Sequence, residues 1–266
     1  MILPDILPTI PSPIYDTHAH YDDNAFDDVR DSLFEEMRVY GVRCIINNSV
    51  DLEKSAEDCI ALAEKYDFCY AAVGVHPQTV ENYGIMPEKS KLIKLCCHKK
   101  VVAIGEIGLD YYYSTDRKEE QLKAFKMQCE TANELGLPVI IHDREAHGDT
   151  FDIVRSVRPK GTVHCYSGSA ELALEYAKLG LYIGIGGVIT FKNARKTVEV
   201  AEALPLESIL LETDAPYLSP EPLRGKLCNS AYICYTAEKI AEIKGVSLKT
   251  VLEVTAQNAR KLYSCL

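Results

Sequence analysis

Eight short β-rich apolar runs alternate with helix-period segments along this chain, and that alternation restricts its fold more than any other feature. The runs lie at 14–16, 42–47, 69–75, 101–105, 137–141, 161–163, 181–185 and 208–211. Residues 27–40 place Val29, Leu33, Met37 and Tyr40 at helical spacings, and 117–135 and 170–179 end at Gly136 and Gly180, where helices stop. Helical patterns also fill 231–244 and the stretch from 247 onward. Strand, helix, strand, repeated eight times, predicts a parallel sheet with helical crossovers. Eight such units in one chain of this length fit an α/β fold of the TIM-barrel type, (β/α)8. An open doubly wound sheet has the same local pattern. The barrel makes the sharper demand, because its functional side chains belong at the C-terminal ends of the strands.

The rest of the composition narrows the setting. No Gly/Ser-rich linker divides the 266 residues, so 14–266 reads as one barrel domain preceded by an extended arm, 1–13, with four prolines. The arm lacks the basic start of a signal peptide, and no apolar run reaches the roughly 20 residues of a membrane helix. An intracellular, cytoplasmic protein with no membrane partner is expected. The ten cysteines are scattered without a Cys-x-x-Cys pair, which suits reduced thiols packed as small hydrophobes. A formal net charge of −10 opposes a broad basic DNA-binding surface. Any nucleic-acid chemistry would have to rest on local cations or metal ions. Without heptads or a long apolar surface helix, a monomer is expected.

The strand ends carry what the barrel demands. The first run leads into "DTHAH", with His18 and His20, and the third into "VGVHP", with His76. The fourth leads into "GEIGLDY", with Glu106, and the fifth into "IHDR", with His142 and Arg144. The sixth meets His164, and the eighth meets Glu212 and Asp214. Each alone has an ordinary explanation: a rim histidine, a helix-start acid, a turn aspartate. So many strand ends populated together do not. Four histidines and two carboxylates converging on one mouth suit a bound divalent ion, with two expected. Histidine-rich ligation favours Zn, Mn or Fe over Mg.

The ordered set "DTHAH", "GVHP", "GEIGLDYYY", "PVIIHDREAH", "HCYSGS", "GGVITFKNA", "LLETDAPYL" and "RGK" resembles the TatD family of metal-dependent deoxyribonucleases, from Ile14 to the C-terminal "QNARKLY". The resemblance implies His18, His20 and Asp214 on one ion, His142 and His164 on the other, and Glu106 bridging. It also implies a TIM-barrel hydrolase of the amidohydrolase-like type, Mg-dependent activity, and 3′–5′ exonuclease action on single-stranded or frayed DNA ends. Two ions roughly 4 Å apart would acidify a shared water and stabilise developing charge. Glu106 and Asp214 are the expected catalytic carboxylates, with Glu212 and Asp16 behind the ligands.

Substrate contacts are expected from His76, Arg144, Lys192, Arg224 and Lys226 for phosphate, and from Tyr111 or its neighbours Tyr112 and Tyr113 for stacking. "GIGG" at 184–187 is too loose a match for a nucleotide-cofactor loop. One departure stands out. Many family members read Arg-Gly-Lys-Arg-Asn-Glu-Pro where this chain reads Arg224-Gly225-Lys226-Leu227-Cys228-Asn229-Ser230. The competing expectation keeps the metals and changes the bond, to an ester, lactone, amide or aminoacyl-tRNA linkage. A non-catalytic metal-binding protein should have lost ligands, and none is lost here.

Overall fold

The computed structural model describes residues 3, 4 and 6–264. Eight parallel strands follow in chain order: β1 (Ile14–Ala19), β2 (Val42–Asn48), β3 (Cys69–Val73), β4 (Val101–Asp110), β5 (Val139–Arg144), β6 (Gly161–Val163), β7 (Tyr182–Ile185) and β8 (Ile209–Leu211). The seam between the last strand and the first is held at its C-terminal end. Ala19 bridges Ala215, the His20 N–H donates to the Ala215 carbonyl (2.7 Å), and the Asp214 N–H donates to the His18 carbonyl (3.0 Å). Strictly sequential order with first and last strands meeting is the TIM barrel; a doubly wound sheet reverses order at its centre.

Ten α-helices are assigned among the described residues: α1 (Arg30–Tyr40), α2 (Lys54–Lys65), α3 (Pro77–Tyr83), α4 (Lys89–Cys96), α5 (Lys118–Leu135), α6 (His147–Val157), α7 (Ala170–Lys178), α8 (Arg195–Ala203), α9 (Ile233–Lys244) and α10 (Leu248–Leu262). Their ends follow local chemistry. Ser169 and Ser247 accept backbone N–H groups at the starts of α7 and α10, and Gly136 and Gly245 take left-handed φ at the ends of α5 and α9.

Successive strand residues alternate between two apolar layers. Ile45 packs with the helices, while Cys44 and Ile46 join Ala72, Ile140 and Leu210 in a second cluster inside the barrel. Ala259 and Tyr263, contributed by and just after α10, join that inner cluster beside Tyr15, Tyr70 and Tyr182 from the strand starts. The N-terminal end of the barrel is therefore filled, and the opposite end is free for polar chemistry.

The strands differ from the apolar runs in one systematic way. β4 continues to Asp110 and β5 to Arg144, each past the end of its run. The runs stopped where polar side chains begin, because the mouth of the barrel is polar although its backbone is still paired. Within β4, Ile104 pairs with Val139 and Ile107 with Ile141, so a bulge accommodates one extra residue at Gly105–Glu106. Of the arm, residues 7–13 are irregular and lie across the helices, with the Tyr235 hydroxyl donating to the Ile6 carbonyl (3.1 Å). Among the described residues no two cysteines are joined in a disulfide.

Gly108 holds β4 against β5 at φ +147°, and a Cβ there would sit 1.9 Å from the His142 carbonyl oxygen. Gly108→Ala is expected to cost at least about 1–3 kcal/mol in denaturant unfolding. Gly148→Ala, in α6 with open space around it, should be neutral or stabilising by up to about 1 kcal/mol.

Candidate metal centre

β1 delivers His18 and, one step beyond its end, His20, with their Nε2 atoms 3.0 Å apart. Both face Glu106 Oε2, at 3.5 and 3.3 Å, and Asp214 Oδ1, at 3.6 and 3.5 Å. The other Glu106 oxygen, Oε1, faces a second set: His164 Nε2 at 2.6 Å, His142 Nδ1 at 2.7 Å and His76 Nε2 at 3.4 Å. One carboxylate is thus shared between two groups of imidazoles. The two groups touch where the His18 and His164 rings stack, 3.8 Å between centroids.

This donor set fits a divalent ion. Donors roughly 2.1 Å from an ion stand roughly 3.0–3.4 Å from each other in octahedral or tetrahedral arrangements, close to the separations around His18, His20, Glu106 and Asp214. The second set is drawn in as short hydrogen bonds to Glu106. Three overlapping groups meet ligand-cluster geometry: His18, His20 and Glu106; His18, His164 and Asp214; and His76, Glu106 and His142.

The groups behind the donors fix which nitrogen faces inward. His20 Nδ1 lies 2.9 Å from the Asn48 carbonyl, so it carries a proton and leaves Nε2 as the donor atom. His142 Nε2 bonds to Asp110 Oδ2 (3.1 Å), which also accepts from the Gln78 side chain (2.7 Å), freeing Nδ1 to face Glu106. His76 caps α3 by accepting the Gln78 N–H on Nδ1 (3.1 Å), so its Nε2 carries the proton toward Glu106 and the cavity. Asp16 is a backbone clamp. It accepts the N–H groups of His18 (3.2 Å) and Thr213 (3.1 Å) and the hydroxyls of Thr213 and Ser230 (2.7 Å each). Glu212 accepts the Cys165 N–H on Oε1, while its Oε2 has no partner and lies where a Cβ on Gly184 would fall. The glycine of "GIGG" therefore makes room for a carboxyl and cradles no phosphate.

Burial and neighbouring charge split the titrations. Burial, with His164 beside it, holds His18 down to about 3. His20 and His142 resist burial through their carboxylate partners, His20 rising well above the usual range and His142 to about 10. His164 rises too, because the field of Glu106 outweighs burial. Burial would raise Glu106 and Asp214, but the surrounding imidazoles hold both below the usual carboxylate range. Asp16 is pushed by burial up to about 6, restrained by its hydrogen bonds, and Glu212 by burial up to about 8. Protons thus balance the central carboxylates, and metal uptake by such a set releases protons.

A cavity of about 830 Å³ opens over the cluster, lined among others by His20, His76, Glu106, His142, Arg144, His164 and Asp214. The other expected contacts divide. The Arg144 guanidinium lies 3.8 Å over the Tyr112 ring and 5.1 Å from Tyr113. Tyr111 is half-buried and bonded to Asp149 (2.9 Å), so it is not part of the wall; exposed Tyr113 is. Lys192, Arg224 and Lys226 also lie outside the wall, and Arg224 stacks on Phe191 (3.7 Å). Asp110 escaped the sequence reading. Its signal was position: four residues after Glu106 in a strand lies on the same face.

Barrel, mouth and donor set together define a metallo-hydrolase of the barrel type. Residues 15–264 match the family model "TatD related DNase". The uncharacterised metal-dependent hydrolase YabD of Bacillus subtilis is 38% identical over 254 residues, covering 94% of this chain and 98% of its own. The uncharacterised metal-dependent hydrolase TatD of Mycobacterium tuberculosis is 34% identical over 259 residues, covering 93% and 97%. The crystal structure of YjjV, a TatD homologue from Escherichia coli K12, superposes with a TM-score of 0.87 at 31% identity, over 94% of this chain and 98% of that one. The chain belongs to the TatD family, and it is a metal-dependent hydrolase.

Two outcomes follow from the groups behind the donors. Asp110→Asn should weaken metal affinity by about 10–100-fold in calorimetric titration, with the far-UV spectrum unchanged. Glu212, raised by burial above its unfolded value, favours the folded state fully only below the unfolded pKa, and that contribution is lost as pH climbs toward about 8. In chelator-treated protein, the Tm of Glu212→Gln should therefore gain on wild type from pH 5 to pH 9. A pH-independent difference would refute the assignment.

Proposed function

We propose that this chain is a deoxyribonuclease that hydrolyses phosphodiester bonds at single-stranded or frayed DNA ends, 3′ to 5′, through two divalent ions. The observation that carries the two-ion reading is the division of Glu106, Oε2 toward His18 and His20 and Oε1 toward His142 and His164. The family model supports DNA as the substrate class. The cavity supports an end over a duplex, since about 830 Å³ suits one small ligand or chain terminus. Its polarity rests on the family resemblance.

In this reading His18, His20 and Asp214 would hold one ion and His142 and His164 the other, with Glu106 available to both. Divalent ions there, Mg, Mn or Zn, would supply Lewis acidity toward the phosphate and stabilise its developing charge. The chain does the rest. Asp214, ionised and with its side chain 21% exposed at the cavity wall, takes a proton from the attacking water as the water oxygen bonds to phosphorus and the P–O bond to the leaving strand breaks, and returns that proton to the departing oxygen. His76 presents Nε2–H as a hydrogen-bond donor to a phosphate oxygen. Arg144, steadied by Tyr112, offers the charge that orients the diester.

The test is a set of 5′- and 3′-labelled single-stranded oligonucleotides with Mg or Mn. Stepwise shortening from the 3′ end is expected, and Glu106→Gln should lower kcat by on the order of 10³. A DNA rate no better than that on a small phosphodiester, with turnover of an ester, lactone or aminoacyl-tRNA in the same panel, would transfer the site to that second substrate class.

A further inference from the structure

The segment that departs from the family pattern runs under the metal centre. Asn229 accepts the Ala231 N–H (3.1 Å) and so caps a short 3₁₀ turn, Ser230–Tyr232, which drives Ser230 fully inside. There the Ser230 hydroxyl lies 2.7 Å from Asp16 Oδ2 and 2.8 Å from the Tyr21 hydroxyl, and the Ser230 N–H donates to the same Tyr21 oxygen (2.8 Å). A carboxylate only accepts, so Ser230 O–H donates to Asp16, and the Tyr21 O–H is left to donate to Ser230 or to Met37 Sδ (3.2 Å). Asp16 in turn holds the N–H groups of His18 and Thr213, each within one residue of a donor. Tyr21 follows His20 directly.

One buried hydroxyl therefore touches the chain on both sides of the His18–His20 pair, two residues before it and one after. We infer that Ser230 is a positioning residue for the metal centre, setting affinity for the ion gripped by His18, His20 and Asp214. The inference rests on the two-ion reading above. The proline that the family pattern carries at this place would offer neither the hydroxyl nor the N–H, so the link belongs to this chain's own variant of the motif. Linked hydrogen bonds of this kind reinforce one another in a dry interior, and removing a middle member leaves both neighbours short of a partner.

The experiment is calorimetric titration of chelator-treated protein with Mn²⁺, alongside the Tm of the metal-free form. Ser230→Ala is expected to weaken one of two ions by about 10–100-fold and to leave the other within about threefold. Ser230→Thr, which keeps the hydroxyl, should recover most of that loss. Tyr21→Phe, which spares the Ser230–Asp16 bond, should weaken the same ion to a smaller extent and carries the test if Ser230→Ala does not fold. A lowered metal-free Tm with both affinities unmoved would overturn the inference, since a purely structural serine behaves that way. If wild type takes up one ion, the two-ion reading fails on its own. Ser230 is then judged on that ion, weakening upholding it and an unchanged affinity overturning it.

Discussion

Glu106 stands where five strands' worth of chemistry meets, and its carboxylate organises the centre. It is nearly inaccessible, yet burial fails to neutralise it because imidazoles surround it on all sides. Remove that charge and the histidines lose the partner that makes their mutual approach tolerable, beginning with two Nε2 atoms 3.0 Å apart. The bulge in β4 gives this residue its place within a continuous strand. A buried carboxylate between two imidazole groups also explains why the donors must come from rigid strand ends. His18, Glu106 and His142 lie within strands, and His20, His76, His164 and Asp214 within three residues of a strand's end, which limits how far they can relax away from such crowding.

The fold and the donors were readable for the same reason. Strands buried on both faces are apolar until they reach the mouth, so each run stops where function begins. His18, His20, His76, His142, His164 and Asp214 were found by that break in pattern, and the structure brings them within one cluster. The same rule misplaced the strand ends. β4 and β5 continue beneath their polar residues, and periodicity cannot register pairing that the side chains no longer advertise.

Residues that act at one remove were harder to see. Asp110 was passed over in the sequence, and only its bond to His142 gives it a role. Ser230 lies 214 residues from Asp16, and no local pattern joins positions that distant. The tyrosine triplet shows the complementary difficulty. Tyr111, Tyr112 and Tyr113 are indistinguishable by type, yet the first is tied to Asp149 and only the last lines the cavity.

The seam between β1 and β8 gives the metal centre a second meaning. His18 and His20 lie near the beginning of the chain and Asp214 near its end, and they face each other across the junction where the barrel shuts. An ion held by all three would act as a clasp on that junction. Opening the barrel there would separate these donors, so such an ion would favour the shut form by mass action, in proportion to the logarithm of its free concentration. Cofactor supply would then govern how tightly the first strand stays joined to the last, as well as how fast the enzyme turns over.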